Sequence, residues 1–349
     1  MGGPAMSPPL ASGASWPSLR LDLNESAYPP LPSVAAALQL EILESHRYPD
    51  FLPDRTRGQI ACHLGVVPER VTVGPGATGV ALSALQYAVR RAADAGVATP
   101  ALLTSTPTFD GYPILARMVG MRFESVELDD EGSVDLDRLL AAVTPETAVV
   151  VLCSPHNPTG SVMNGGDLNR FLAAVPAHVM TIVDEAYVEF SETASDLHRL
   201  IRNPGVVVLR TFSKAYGLAA LRVGYGIGST ELISELCGQE VPFAVGRAAM
   251  AAVPVALDAE LELAQRIRSM RAERDRLTGV LAQMGVRVVP SEANFVFLPG
   301  ADGVAVGRLL RGIGIAVKEC GAAGTRITVG DRSGTDRVIG ALRLTSRSA

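Results

Sequence analysis

From about residue 54 onward the chain alternates stretches of helical periodicity with short apolar runs, and this alternation restricts its possible folds more than any other feature. The runs are Val71–Val73, Ala101–Thr104, Arg122–Val126, Ala148–Cys153, Val179–Val183, Val206–Leu209 and Val223–Ile227. Most are continuously apolar, the pattern of strands covered on both faces. Helical stretches such as Thr78–Ala93 and Leu168–Ala173 separate most of them. The layout predicts an α/β fold whose large domain holds a mostly parallel, seven-stranded sheet sandwiched by helices. Ligands of such sheets gather at the carboxyl ends of the strands. Polar residues that directly follow an apolar run are therefore the candidates for a site.

After Pro242 the pattern changes. A long helical stretch, Gly246 to Met284, carries the charge-rich segment Arg266–Arg274, which predicts a solvated helix face. Short strands are expected at Val286–Val289, Ala293–Leu298 and Thr325–Val329, with helices at Val304–Arg311 and Thr335–Leu344. These elements predict a second, smaller α+β domain. The expected plan is a mobile tail (1–16), an N-terminal arm (17–50), a large domain (51–245) and a small C-terminal domain (246–349).

Composition narrows the function classes. With 48% hydrophobic and 19% charged residues, the 349-residue chain can bury a large core. A net charge of −5 without a basic cluster argues against a nucleic-acid partner. No apolar run reaches the ~18 residues of a membrane helix. Cys62, Cys153, Cys237 and Cys320 lack metal-ligand spacing, so no metal is expected and a reducing cytoplasm is. The segment Met1–Trp16 has neither a basic start nor an apolar core of a leader.

Of 31 basic residues only Lys214 and Lys318 are lysines. Lys214 follows the run Val206–Leu209, within Arg210-Thr211-Phe212-Ser213-Lys214-Ala215-Tyr216. A primary amine can lose its proton and condense with an aldehyde, which a guanidinium cannot. Asp184 closes the run Val179–Val183 and is followed by Glu185-Ala186-Tyr187. Asn157 lies in Ser154-Pro155-His156-Asn157-Pro158-Thr159-Gly160, after the run Ala148–Cys153. Gly76-Ala77-Thr78 opens a helix, Ser213 and Arg222 flank the lysine, and Phe109 follows the run Ala101–Thr104.

Each has an ordinary reading too: a helix cap for Asp184-Glu185, a turn for Asn-Pro-Thr-Gly, core packing for Phe109. Together they meet five demands of one cofactor, pyridoxal 5'-phosphate. Lys214 offers an amine for the aldehyde, and Asp184 a carboxylate that keeps the pyridine nitrogen protonated. Asn157 and Tyr187 offer hydrogen bonds to the phenolic oxygen. Ala77 and Thr78 at a helix start, with Ser213 and Arg222, suit the phosphate. Phe109 offers an aromatic face for the ring. A competing motif, Gly74-Pro75-Gly76-Ala77-Thr78-Gly79, matches a dinucleotide fingerprint. That fingerprint needs an acid at the end of the second strand, whereas Asp94 precedes the run that begins at Ala101.

With these residues in view, the chain resembles the fold-type I pyridoxal-phosphate aminotransferases of the histidinol-phosphate and aromatic amino acid group. The resemblance runs from Leu23-Asn24-Glu25 to about Ile339. It rests on Arg47-Tyr48-Pro49-Asp50, Asn157-Pro158-Thr159-Gly160, Asp184-Glu185-Ala186-Tyr187, Arg210 to Tyr225, and Ser291-Glu292-Ala293-Asn294-Phe295. It implies an aspartate aminotransferase-like fold and a homodimer in which the arm packs with the small domain and the partner. It implies that Lys214 holds the cofactor and carries a proton between Cα and C4′, with Asp184 on the pyridine nitrogen. Asn157 and Tyr187 are then expected on the phenolic oxygen, and Ala77, Thr78, Ser213 and Arg222 on the phosphate. Tyr48 is expected to reach that phosphate from the neighbouring subunit. Arg326 would hold the substrate's anionic group, with Asn24 and Tyr28 on the substrate side.

The expected reaction moves an amino group from an aromatic amino acid or histidinol-phosphate-like donor to a 2-oxo acid such as 2-oxoglutarate. Three departures stand out. Phe109 replaces a frequent tyrosine, the phosphate loop reads Pro75-Gly76-Ala77-Thr78-Gly79, and Lys318 stands where the group usually has arginine. The last suggests that Lys318 reads an unusual distal group on the substrate. Rival expectations are a pyridoxal-phosphate enzyme of a specialised biosynthetic pathway, a cofactor-binding regulator without turnover, and a nicotinamide oxidoreductase.

Overall fold

All seven apolar runs become strands of one sheet. The computed structural model describes residues 19–193 and 196–346, so the expected tail at 1–16 lies outside the described residues. A short strand β1 (Leu19–Leu21) precedes β2 (Val71–Gly74), β3 (Ala101–Thr106), β4 (Arg122–Glu127), β5 (Thr147–Cys153), β6 (Met180–Asp184), β7 (Val206–Thr211) and β8 (Gly224–Gly228). The order is β2-β8-β7-β6-β5-β3-β4. Only β8 runs against its neighbours; the other pairings from β7 to β4 are parallel.

Every residue of β5 and β6 is buried. The reason is visible in the alternation of side chains. Val150, Leu152, Val206 and Val208 pack into one core, while Val149, Val151, Val207 and Leu209 pack into another on the opposite face. Each fully buried aliphatic side chain stabilises by roughly 1.5–3 kcal/mol. Helix Gly76–Asp94 covers the second face through Val80, Ala84, Leu85 and Ala88.

Three more strands, β9 (Phe295–Pro299), β10 (Ile315–Glu319) and β11 (Gly324–Thr328), join β1 in a second sheet ordered β1-β10-β11-β9. Helices Gly300–Gly312 and Arg332–Ser346 accompany this sheet, which has its own core around Leu298, Leu310, Ile327 and Val338.

Three expectations are corrected. The stretch Val286–Val289 is not a strand; only a single bridge links Val289 to Phe297. The long helix of Gly246–Met284 is two helices, Arg247–Asp258 and Glu260–Gln283, separated at Ala259. The Arg266–Arg274 run is not simply a solvated face, because Arg266, Glu273 and Arg274 are buried. Its guanidinium groups satisfy carbonyls that would otherwise be orphaned. Arg266 donates to the Tyr216 and Pro29 carbonyls at 3.0 and 2.5 Å, and Arg271 to those of Phe190 and Ser191 at 3.1 and 2.6 Å.

Candidate active site

The carboxyl ends of β3, β5, β6 and β7 open into a cavity of about 360 Å³ that the small sheet closes from above. Asn24, Ala77, Thr78, Phe109, Asn157, Asp184, Tyr187, Ser213, Lys214, Arg222, Lys318 and Arg326 all line it. Of the side chains singled out in the sequence, Tyr28 and Tyr48 do not.

The floor is acidic and dry. Asp184 is the last residue of β6 and is 8% exposed. Its Oδ2 accepts a 2.5 Å hydrogen bond from the Tyr112 hydroxyl and its Oδ1 accepts the Ala186 amide at 3.1 Å. Burial raises the Asp184 carboxyl, while Tyr112, the Ala186 amide and the Lys214 charge pull it back. The neighbouring pair, Glu185 with Arg210 at 2.8 Å, points away into structural contacts.

Lys214 lies three residues beyond β7, the strand next to β6 in the sheet. Its Nζ donates to the Leu23 and Asn24 carbonyls at 3.2 and 3.0 Å and sits 5.7 Å from the Tyr187 ring centre. Burial brings the Lys214 ammonium down to about 8, and the Arg326 guanidinium pushes the same way. A desolvated lysine in a cationic neighbourhood is an activated amine.

One flank suits a phosphate. Helix Gly76–Asp94 starts without a side-chain cap and without an acidic residue in its first turn, so its first N–H groups keep no internal partner. Arg222 lies in the left-handed region at φ 52° and donates to the Ser213 hydroxyl at 3.5 Å. A Cβ on Gly76 would stand 2.6 Å from Arg222 Nη2, and one on Gly224 2.3 Å from the Ala77 amide nitrogen. Only glycines let the helix start, Arg222 and β8 close to this degree. The donor set is that of an anion cradle.

The opposite flank is built from the arm and the small sheet. Arg326 of β11 is 7% exposed and donates to Asn157 Oδ1 and the Asp22 carbonyl, both at 2.6 Å, with the Phe295 ring 5.4 Å beneath. Its Nε is a buried donor without an acceptor among the described residues. Asn157 thus has its oxygen engaged, and the other end of that amide is an NH₂ donor. Asn24, at φ 53°, donates from Nδ2 to the Tyr187 hydroxyl at 2.9 Å and exchanges hydrogen bonds with Thr328 at 3.0 Å. Burial holds the Tyr187 phenol well above its ordinary value. Phe109 meets Tyr112 edge-on at 5.7 Å.

Residues 17–342 match the family described as aminotransferase class I and II. The chain belongs to that family. An aromatic amino acid aminotransferase of Nocardia farcinica is 40% identical over 331 residues, 93% of this chain and 91% of its own length. The histidinol-phosphate aminotransferase of Sinorhizobium meliloti, solved in complex with pyridoxal-5'-phosphate, superposes with a TM-score of 0.85 at 28% identity, covering 95% of this chain and 91% of that one. The aspartate aminotransferase of Thermus thermophilus with maleate shares the fold, at a TM-score of 0.78 and 20% identity over 94% and 91% of the two chains. This is an aminotransferase with an aspartate aminotransferase-like architecture. The dinucleotide alternative loses its acid as well, since Asp94 is exposed at the last position of its helix.

Tyr28 faces a shallow surface site with Asp331 and Asp336 instead of the cavity, 6.0 Å from the Arg266 guanidinium. Tyr48 is 80% exposed and stacks at 4.8 Å on Phe243. Sequence reasoning missed Tyr112, Cys153 and Asp110, which line the cavity. Tyr112 reads as a core aromatic on the helix Gly111–Met118, and no local signal reveals a partner 72 residues away. Asp110 had one signal: it directly precedes that helix, after a strand end.

Proposed function

We propose that this chain is a pyridoxal-5'-phosphate-dependent aminotransferase that takes its amino group from an aromatic amino acid and passes it to a 2-oxo acid. The observation that carries the proposal is the convergence of an activated amine, a buried carboxylate and an uncapped helix start in one cavity. The cofactor supplies, when bound, an aldehyde that condenses with amines and a ring that withdraws electrons from the substrate Cα. Lys214 is the covalent anchor, Asp184 the partner of the ring nitrogen, and Asn157 and Tyr187 the partners of the phenolic oxygen. Ala77, Thr78, Ser213 and Arg222 hold the phosphate, and Phe109 covers the ring.

Lys214 Nζ, made easier to deprotonate than an ordinary lysine by its burial, would accept the proton from the substrate Cα and return it to the carbon that came from the cofactor's aldehyde. Arg326 grips the substrate carboxylate with a planar fork, and Asn24 fixes the Tyr187 hydroxyl. Desolvation by the small sheet strengthens each of these contacts.

The aromatic donor is supported by the Nocardia relative's name and its cover of nearly the whole chain. A donor with a distal anion, such as histidinol phosphate, is the second reading, favoured by the Lys318 ammonium on the same cavity wall.

The active unit we propose is a homodimer with Tyr48 of the partner subunit on the phosphate. The exposed cluster of Tyr48, Phe51 and Phe243 supports an apolar interface there, as do the exposed Leu40, Ile42 and Leu43 earlier in the same arm. The proposed division keeps an N-terminal arm at 17–50 that packs with the small domain and the partner subunit, a large domain at 51–245 and a small one at 246–349. Free thiols at all four cysteines support a cytoplasmic setting. No described helix is long and apolar enough to cross a membrane.

The test is a panel of aromatic amino acids and histidinol phosphate with cofactor-loaded protein. Aromatic donors are expected to bleach the bound-cofactor absorbance and release their 2-oxo acids, with recovery on adding 2-oxoglutarate. Bleaching by none of them overturns the proposal.

A further inference from the structure

Lys318 and Arg326 are cross-strand partners on β10 and β11, and both line the cavity. Directly opposed side chains on one face stand about 5 Å apart, and like charges there repel. Arg326 is committed to Asn157 and Asp22. Lys318 instead pairs with Asp110, which comes from the large sheet, between β3 and helix Gly111–Met118. An ion pair between residues 208 positions apart thus links the two sheets' contributions to the cavity wall. Both partners keep contact with water, their side chains being 35% and 66% exposed. So wet a pair adds little stability and exchanges readily for another anion.

We propose that Asp110 is a specificity-determining residue, an internal counter-ion that occupies Lys318 for substrates without a distal charge and yields it to substrates that carry one. The inference rests on the aminotransferase reading above, with Arg326 on the substrate carboxylate. Amino transfer sends both substrates through one cavity, so the same wall meets an aromatic side chain in one half-reaction and an acidic one in the other. A bare ammonium beside an aromatic ring would exchange water for a cation–π contact alone, without a hydrogen-bonding counter-charge. Asp110 supplies that counter-charge. A dicarboxylic 2-oxo acid, or a phosphorylated donor, has to compete with Asp110 for Lys318, and its affinity falls accordingly. The lysine fits this role better than an arginine, because a point charge on a flexible stem changes partners without breaking a two-pronged contact.

The test uses full-length, cofactor-loaded protein and calorimetry with two unreactive probes, 3-phenylpropionate and glutarate. In Asp110→Asn the glutarate-to-phenylpropionate affinity ratio is expected to rise about three- to tenfold. In Lys318→Met the ratio is expected to fall by at least as much, and Asp110→Asn introduced into that variant is expected to leave it unmoved, as a double-mutant cycle requires. An unchanged ratio in Asp110→Asn, or the same rise without Lys318, overturns the inference. Failure of the unmutated protein to bind either probe overturns the underlying reading instead.

Discussion

The carboxyl edge of the seven-stranded sheet and the small sheet face each other across one cavity, yet they are assembled by different rules. On the large-sheet side, Asp184 ends a buried parallel strand, and Asn157 and Lys214 follow the ends of two others within a few residues. Their positions come from the sheet itself. On the small-sheet side, Asn24, Arg326 and Thr328 are held by hydrogen bonds spanning up to 304 residues of chain. The first side is built on buried strands and is acidic at its floor; the second is cationic and reaches the site through side chains. A strand end fixes where a cofactor can be anchored, whereas long-range polar contacts decide what is gripped beside it.

Removing the anchor is the sharpest way to break this division. Lys214→Ala is expected to reduce turnover at least about 10³-fold and to abolish the absorbance of covalently bound cofactor. Turnover near the unmutated level would end the assignment of the large-sheet side to chemistry. Arg326→Gln probes the other side. Losing a charge-assisted contact costs about 1.5–3 kcal/mol, so kcat/KM is expected to fall roughly 10- to 150-fold, mainly through KM. A loss confined to kcat would mean that Arg326 acts on the chemistry.

The amine's protonation sharpens the comparison further. Lys214 falls to about 8 from an ordinary 10.5, so its neutral fraction grows about tenfold between pH 7 and 9. Cofactor uptake by the cofactor-free protein is expected to rise by that factor and level off above pH 9. A rate still climbing steeply at pH 10 would show an unperturbed lysine. Tyr112→Phe has the smallest expected effect, a fewfold loss for about 1 kcal/mol of hydrogen bonding. Its sign is specific. The Tyr112 hydroxyl lowers the Asp184 carboxyl against the raising effect of burial. Losing it lets that carboxyl rise, and the acid limb of kcat/KM moves to higher pH. An acid limb moving down would place Tyr112 elsewhere in the mechanism.

Much of the large-sheet side was legible because continuous apolar runs mark buried strands, and whatever polar residue follows one stands at a sheet edge. The scarcity of lysine then singled out Lys214. The small sheet was less legible. Its strand β1 has three residues, and Ile315–Glu319 is preceded by glycine and ends in charge. Such strands acquire their pattern only by pairing, as Leu19–Leu21 does with Ile315–Val317. The arginine run misled for a similar reason. Charge on a helix predicts water, but the Arg266 and Arg271 guanidinium groups found backbone carbonyls of the 29, 190, 191 and 216 loops.

By itself the sequence determined the sheet, the strand ends that carry chemistry, and the residue types that suit an aldehyde, a ring and a phosphate. Those properties are local, since periodicity and burial act over a handful of neighbours. Only the tertiary structure decided that Tyr112 meets Asp184, that Arg326 is braced by Asn157, that Lys318 is matched by Asp110, and that Tyr28 turns away. These depend on where distant segments meet in space, and a hydrogen bond or an ion pair leaves no trace in the sequence between its partners.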